Sequence, residues 1–289
     1  MVAHPADPRP PSEWYLALTL RWRDLAFGLG AVSAAWLVYG CLVESRRLVV
    51  ERKRLRLPRW PGSMAGYRVA VLADLHIGHE YSVELAERAV ALAVAEQPNA
   101  VVLAGDVISR GFPEAARCAE AVLRPLCALD APVIAVFGNH EAECGARRLV
   151  AAYERLGVRL LRNQACRTPD GVVWAGVDSA RLCVHDPAEA MRQARELDGP
   201  TIAVWHEPDM VECLPPGAAL MLAGHSHGGQ WVFPGGFTPM HTFMGSRFVA
   251  GFFDETPTPL YVSRGVGTTG PPARNNCPPE VSILELHPL

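Results

Sequence analysis

The stretch Gly224-His225-Ser226-His227-Gly228-Gly229-Gln230 decides the reading of this chain. Two imidazoles stand two residues apart among glycines. The run before them, Ala219-Leu220-Met221-Leu222-Ala223, is short and apolar and reads as a buried strand. A strand ending in such a loop can aim two side chains at one spot, and glycine lets the backbone approach closely. Neutral imidazole is the commonest protein metal ligand.

Four other apolar runs end in the same kind of chemistry. Tyr67–Ala73 leads into Asp74-Leu75-His76, and Ala100–Ala104 into Gly105-Asp106. Pro132–Phe137 leads into Gly138-Asn139-His140-Glu141, and Thr201–Trp205 into His206. Each alone has a bland reading as a turn, a helix cap or a satisfied polar group. Five together at strand ends match the place where open α/β sheets bind ligands. Oxygen and nitrogen donors without thiolate suit a hard or borderline divalent ion: manganese, iron, zinc or magnesium.

Between these runs the pattern alternates. Helices are expected at Val83–Gln97, Pro113–Leu129, Ala146–Leu156 and Asp186–Leu197. Further strands are expected at Val158–Leu161 and Val172–Val177, separated by a Pro169-Asp170-Gly171 turn. Others follow near Gln230–Phe233, Leu260–Ser263 and Val281–Leu286. Strand and helix in alternation, then mainly strand, give an α/β layered sandwich of two mixed sheets flanked by helices.

The order Asp74-x-His76, Gly105-Asp106, Gly138-Asn139-His140-Glu141, His206, Gly224-His225-x-His227 resembles the calcineurin-like metallophosphoesterase superfamily over roughly residues 67 to 286. The Gly228–Gln230 extension, Tyr261–Gly267 and Cys277-Pro278-Pro279-Glu280 resemble a membrane-associated bacterial branch with a GHxHGGQ motif. That branch includes enzymes that cleave UDP-2,3-diacylglucosamine, in the lipid A pathway. The resemblance implies two divalent ions, manganese first. Asp74, His76, Asp106 and His227 would hold one; Asp106, Asn139, His206 and His225 the other, with Asp106 bridging. His140 would serve as general acid. Arg110 matches a phosphate-contacting arginine, although a surface arginine reads equally well. Where the family has an acidic residue to orient the catalytic histidine, this chain has Ser109. Glu141 stands where many relatives have aspartate.

The N-terminal part adds an address. Residues 1–24 read as a disordered, proline-rich tail. Leu25–Val43 is an uncharged run of 19 residues, roughly 28 Å as a helix at about 1.5 Å per residue. That just spans a membrane. A cleaved signal peptide, a faint lipobox at Val38–Cys41 and a buried core helix are the other readings, the last disfavoured by an apolar surface all round. Residues 44–66 form a basic juxtamembrane segment and a first strand; residues 67–289 form the catalytic domain. Seven basic side chains (Arg46, Arg47, Arg52, Lys53, Arg54, Arg56, Arg59) follow the run and three (Arg9, Arg21, Arg23) precede it. The positive-inside rule then puts the domain on the cytoplasmic side of the inner membrane, on a single span.

Composition narrows the remainder. With 289 residues, 49% hydrophobic, net charge −3 and pI near 6.4, nothing points to nucleic acid. Eight scattered cysteines without a CxxC pair fit buried thiols in a reducing compartment. The expected activity is hydrolysis of a phosphoester or pyrophosphate, on a phosphorylated small molecule or a lipid-linked substrate. A phosphodiesterase or phosphatase for soluble substrates is the alternative, and a silent metal-binding module a remoter one. Trp231 to Phe253 carries nine aromatic or methionine side chains broken by Gly235-Gly236, Pro239 and Gly245. It reads as a greasy groove or membrane lip, or else as core filling. Oligomeric state is not legible.

Overall fold

The computed structural model describes residues 12–289 except Pro113 and Gly145. The first sheet holds β1 (Val49–Leu57), β12 (Glu280–Pro288), β2 (Tyr67–Leu72), β3 (Ala100–Ala104), β4 (Val133–Val136) and β5 (Arg159–Leu160), in that spatial order. The second holds β10 (Gly251–Phe253), β11 (Leu260–Val262), β9 (Leu220–Ala223), β8 (Thr201–Val204), β7 (Val173–Gly176) and β6 (Gln164–Arg167). Both are mixed. β12 runs antiparallel to β2, while β2, β3, β4 and β5 run parallel. β7, β8, β9 and β11 run parallel, with antiparallel edges at β6 and β10.

The period of two in each strand builds the layers. Val69, Val71 and Val102 point between the sheets, where they meet Trp174, Ile202, Val204, Leu220 and Leu222. Their neighbours Ala70, Leu72, Val101 and Leu103 point outward, onto α2 (Glu80–Ala95), α3 (Ala115–Leu123) and α5 (Arg147–Leu156). On the far side Ala203, Met221 and Ala223 pack on α6 (Pro187–Glu196). Burying both faces explains why the central strands read as continuous apolar runs.

Several boundaries differ from expectation, each for a local reason. The helix expected over Pro113–Leu129 stops at Leu123 and tightens into a 3₁₀ turn, Arg124–Ala128. Pro125 lacks the N–H that would continue the ladder. Val158–Leu161 and Val172–Val177 do not flank one turn: β5 closes the first sheet, and the Pro169–Gly171 turn joins β7 to β6, which alternation did not reveal. No strand covers Gln230–Phe233; a single bridge pairs Trp231 with Asn275. The short β10 was also missed.

α1 (Ser12–Leu42) begins inside the stretch expected to be tail, and residues 1–11 lie outside the described ones. Arg21, Arg23 and Asp24 mask a helix that hydropathy alone dates from Leu25. Trp22–Arg46 is long and apolar enough to cross a membrane, and it is almost wholly exposed. β1 pairs with the C-terminal strand through nine residues, from Val49 opposite Glu280 to Leu57 opposite Pro288. The basic segment is therefore an edge of the catalytic sheet. Arg52 pairs with Glu96, and Arg54 with Glu285 at 3.1 Å. Charged side chains on an edge strand also discourage edge-to-edge pairing.

Candidate metal centre

The loops that follow β2, β3, β4, β8 and β9 meet at one end of the sandwich. The first two run side by side: Asp74 N–H donates to the Gly105 carbonyl, and His76 N–H to the Asp106 carbonyl, each at 3.0 Å. Asp74, His76, Asp106, His225 and His227 all have left-handed backbone, with φ of 51°, 47°, 51°, 69° and 52°. Such conformations cost a non-glycine residue on the order of 1–3 kcal/mol and persist where surrounding structure imposes them. Here they turn successive side chains inward from loops that would otherwise alternate. Two glycines make room: a Cβ on Gly138 would lie 2.2 Å from Asp106 Oδ1, and one on Gly224 2.5 Å from Asp74 Oδ2.

Six of the seven residues expected to bind metal fall into donor clusters, and the seventh, Asn139, lines the same cleft. Asp74, His76 and His227 form one cluster and Asp106, His206 and His225 another; His76, Asp106 and His140 form a third between them. Within each, the donor atoms lie within 4.8 Å of one another. His206 Nε2 is 3.3 Å from Asp106 Oδ2, and His227 Nε2 is 3.5 Å from Asp74 Oδ1. The backbone fixes which ring nitrogens face inward. His206 Nδ1 donates to the Ala104 carbonyl at 2.7 Å, leaving Nε2 for the cluster. His225 Nε2 donates to the Phe243 carbonyl at 2.8 Å, leaving Nδ1.

The electrostatics fit divalent cations. Burial pushes His76 down to about 3 and His225 down to about 4, and holds His227 well below its ordinary value. His76 Nε2 and His227 Nε2 face each other at 3.1 Å. Burial pushes the Asp74 carboxyl up to about 7, against the pull of His206. Burial alone would raise Asp106 too, but the imidazoles of His206, His76 and His140 hold it below the usual range. Burial would lower His206, yet the carboxylates of Asp106 and Asp74 raise it well above its ordinary value. Asn139 Oδ1 is buried with no hydrogen-bond partner, an acceptor that a cation would satisfy. Two outer donor sets, joined by the middle one through His76 and Asp106, suit two divalent ions.

His140 lies at the start of α4 (Asn139–Cys144), half-buried on the cleft wall. Its N–H donates to Asp106 Oδ1 at 2.8 Å, and its ring packs edge-on against His76 at 4.6 Å. Ser109 does not take the orienting role of the missing carboxylate. Its hydroxyl donates to the His76 carbonyl at 2.9 Å, bracing the loop instead. Arg110 does line the cleft, which has a volume of about 200 Å³, and Arg181 lines it as well.

Two supporting residues, Glu207 and Arg274, escaped the sequence reading, as did the role of a third, Glu141. Glu141, fully buried, accepts from the N–H groups of Asp106, Ile108 and Gly138 at 2.8–3.0 Å, locking the loops after β3 and β4 together. Glu207 accepts from the Ser179 hydroxyl and the Ala180 N–H, holding the turn that carries Arg181. Arg274, 0% exposed, donates to the carbonyls of Arg264, Gly265, Gly267 and His227. Gly267 N–H in turn reaches the Asp74 carbonyl at 2.6 Å. The only advance signal was an arginine placed shortly after a glycine-rich loop.

A family model described as calcineurin-like phosphoesterase matches residues 67–229. The chain is 33% identical over 247 residues to phosphodiesterase YaeI of Escherichia coli (strain K12), covering 81% of this chain and 87% of that one. It is 28% identical to an uncharacterized metallophosphoesterase of Aquifex aeolicus, covering 84% and 94%. It is 26% identical to a transmembrane protein with metallophosphoesterase domain of Danio rerio, covering 88% and 61%. Motif order, sandwich and paired donor clusters agree with these matches: the chain belongs to the calcineurin-like phosphoesterase family of metal-dependent phosphoester hydrolases.

Proposed function

We propose that this chain is a membrane-anchored, two-metal hydrolase of phosphodiester or pyrophosphate bonds acting on a lipid-linked substrate. The observation that carries the chemistry is the two donor clusters, Asp74-His76-His227 and Asp106-His206-His225, linked by a middle one in which Asp106 meets His76. Asp74, His76, Asp106 and His227 hold one ion; Asp106, Asn139, His206 and His225 hold the other. Manganese fits the mixed imidazole and carboxylate set. Two divalent ions supply Lewis acidity toward a phosphoryl oxygen and make a water nucleophilic at neutral pH. The chain's own residues do the rest. His140, fixed by Asp106 and His76, delivers a proton to the leaving oxygen. Arg110 and Arg181, lining the same cleft, hold the phosphoryl charge or a second phosphate.

The substrate class rests on position. An apolar cavity of about 320 Å³ adjoins the cleft and shares His227, Thr242 and Thr269 with it. A pyrophosphate of the UDP-2,3-diacylglucosamine kind would place phosphates in the cleft and an acyl chain in the cavity. The manganese-loaded full chain in vesicles should cleave such a diacylated pyrophosphate with higher kcat/KM than its deacylated form. Equal values would return the chain to the alternative, a phosphodiesterase for soluble substrates.

Orientation follows the excess of basic residues after the span. A C-terminal reporter fused after Leu289 should be active only when it requires the cytoplasm. Activity of a periplasm-dependent reporter would reverse the topology.

A further inference from the structure

We propose that the loop from Trp231 to Met244 is a second membrane contact of this chain, beside α1, and that it seats the mouth of the cleft in the headgroup layer. This rests on α1 being a membrane span, as read above. The catalytic domain does not hang free below its helix. Trp36 of α1 packs against Trp231 at 5.5 Å and Phe233 at 4.9 Å. The Gly40 carbonyl accepts from Arg274 N–H at 3.1 Å, and Glu44 accepts from Cys277 N–H at 2.9 Å. Gly40 fits this contact because a Cβ there would meet the Asn275 side chain at 2.1 Å.

Depth follows from helix geometry. Trp36 lies seven residues before Val43, the last residue of the uncharged run, which is about 10 Å along the axis. That run is barely as long as a hydrocarbon core of about 30 Å. No placement of it across a bilayer leaves Trp36 in bulk water. Trp231 and Phe233, touching Trp36 from the side, therefore stand at or below headgroup level.

The loop is built for that level. It contains no Asp, Glu, Lys or Arg from Trp231 to Ser246. Phe233, Phe237, Met240 and Phe243 are exposed, Phe237 and Phe243 at 65% each. Phe248, by contrast, is buried in the core, and Met244, Phe252 and Phe253 pack against it, so the core-filling alternative holds for the stretch from Met244 onward. At the tip, Gly235 and Gly236 take φ of 87° and 83°, and the turn satisfies itself: Phe233 N–H donates to Phe237 O at 2.8 Å and Gly236 N–H to Phe233 O at 3.0 Å. Internal hydrogen bonds are what backbone needs where water is scarce. The far end of the loop holds the metal centre, through the Phe243 carbonyl on His225. Bilayer contact and cleft thus share one segment.

The test places the photoreactive p-benzoylphenylalanine, one position at a time, in the full chain in vesicles of phosphatidylethanolamine and phosphatidylglycerol. The positions are Phe237, Phe27 in α1 (83% exposed) and Glu196 on α6. After irradiation, mass spectrometry of the labelled peptide counts lipid adducts. Lipid adducts at positions 27 and 237 but not at 196 are the expected result. Adducts at 27 without adducts at 237 overturn the loop contact while leaving the anchor intact. A cross-linked dimer through 237 overturns it in favour of a second copy of the chain. Absence of adducts at 27 removes the anchor and the loop contact together.

Discussion

Asp106→Asn is expected to lower phosphoester hydrolysis by at least about 10²-fold, the upper end of what losing a residue merely behind a metal ligand costs. The argument is geometric. Asp106 is the one carboxylate that belongs to two of the three donor clusters, against His206 at 3.3 Å in one and His76 at 3.8 Å in the other. An amide keeps the shape and one acceptor oxygen but loses the charge that balances two divalent ions. Its backbone should hold, because Glu141 still receives the position-106 N–H. Activity measured on bis(p-nitrophenyl) phosphate, alongside an unchanged melting temperature, checks this. Near wild-type turnover would sink the shared-carboxylate reading.

His140→Ala should behave differently. General acids contribute about 10²–10⁴-fold, and the loss should fall in turnover while metal content stays close to wild type. His140 faces the cleft through its ring and touches Asp106 through its backbone N–H, which alanine retains. The defect should shrink along a series of substrates with progressively better leaving groups, since those need less protonation. A loss of equal size across the series would assign His140 to metal binding or packing instead. Because Ser109 is engaged with the His76 carbonyl, Ser109→Asp would need a different rotamer before it could restore an acidic partner.

What could be read in advance was what alternation and residue chemistry encode. Five strands and the donors at their ends appear in the sequence because a strand buried on both faces is short, apolar and abruptly terminated by Asp, Asn or His. The left-handed backbone at Asp74, His76, Asp106, His225 and His227 was not readable. Those φ values are imposed by the crossing of loops, and only glycine announces such a conformation in its residue type. Arg274 was invisible for a similar reason: its partners are mainly main-chain carbonyls 3 to 47 residues away. The docking of α1 onto Trp231 and Phe233 was hidden because both partners look like ordinary interfacial aromatics.

The central claim is that this donor set holds two divalent ions, and metal counted per chain tests it most directly. Wild-type and Asp106→Asn protein, stripped with chelator, reloaded with manganese and desalted, should be compared by elemental analysis. The account predicts two ions per wild-type chain and at most one in the variant, with wild-type hydrolysis lost on stripping and regained on reloading. Full activity in the stripped wild-type chain, or equal metal in both proteins, would contradict it.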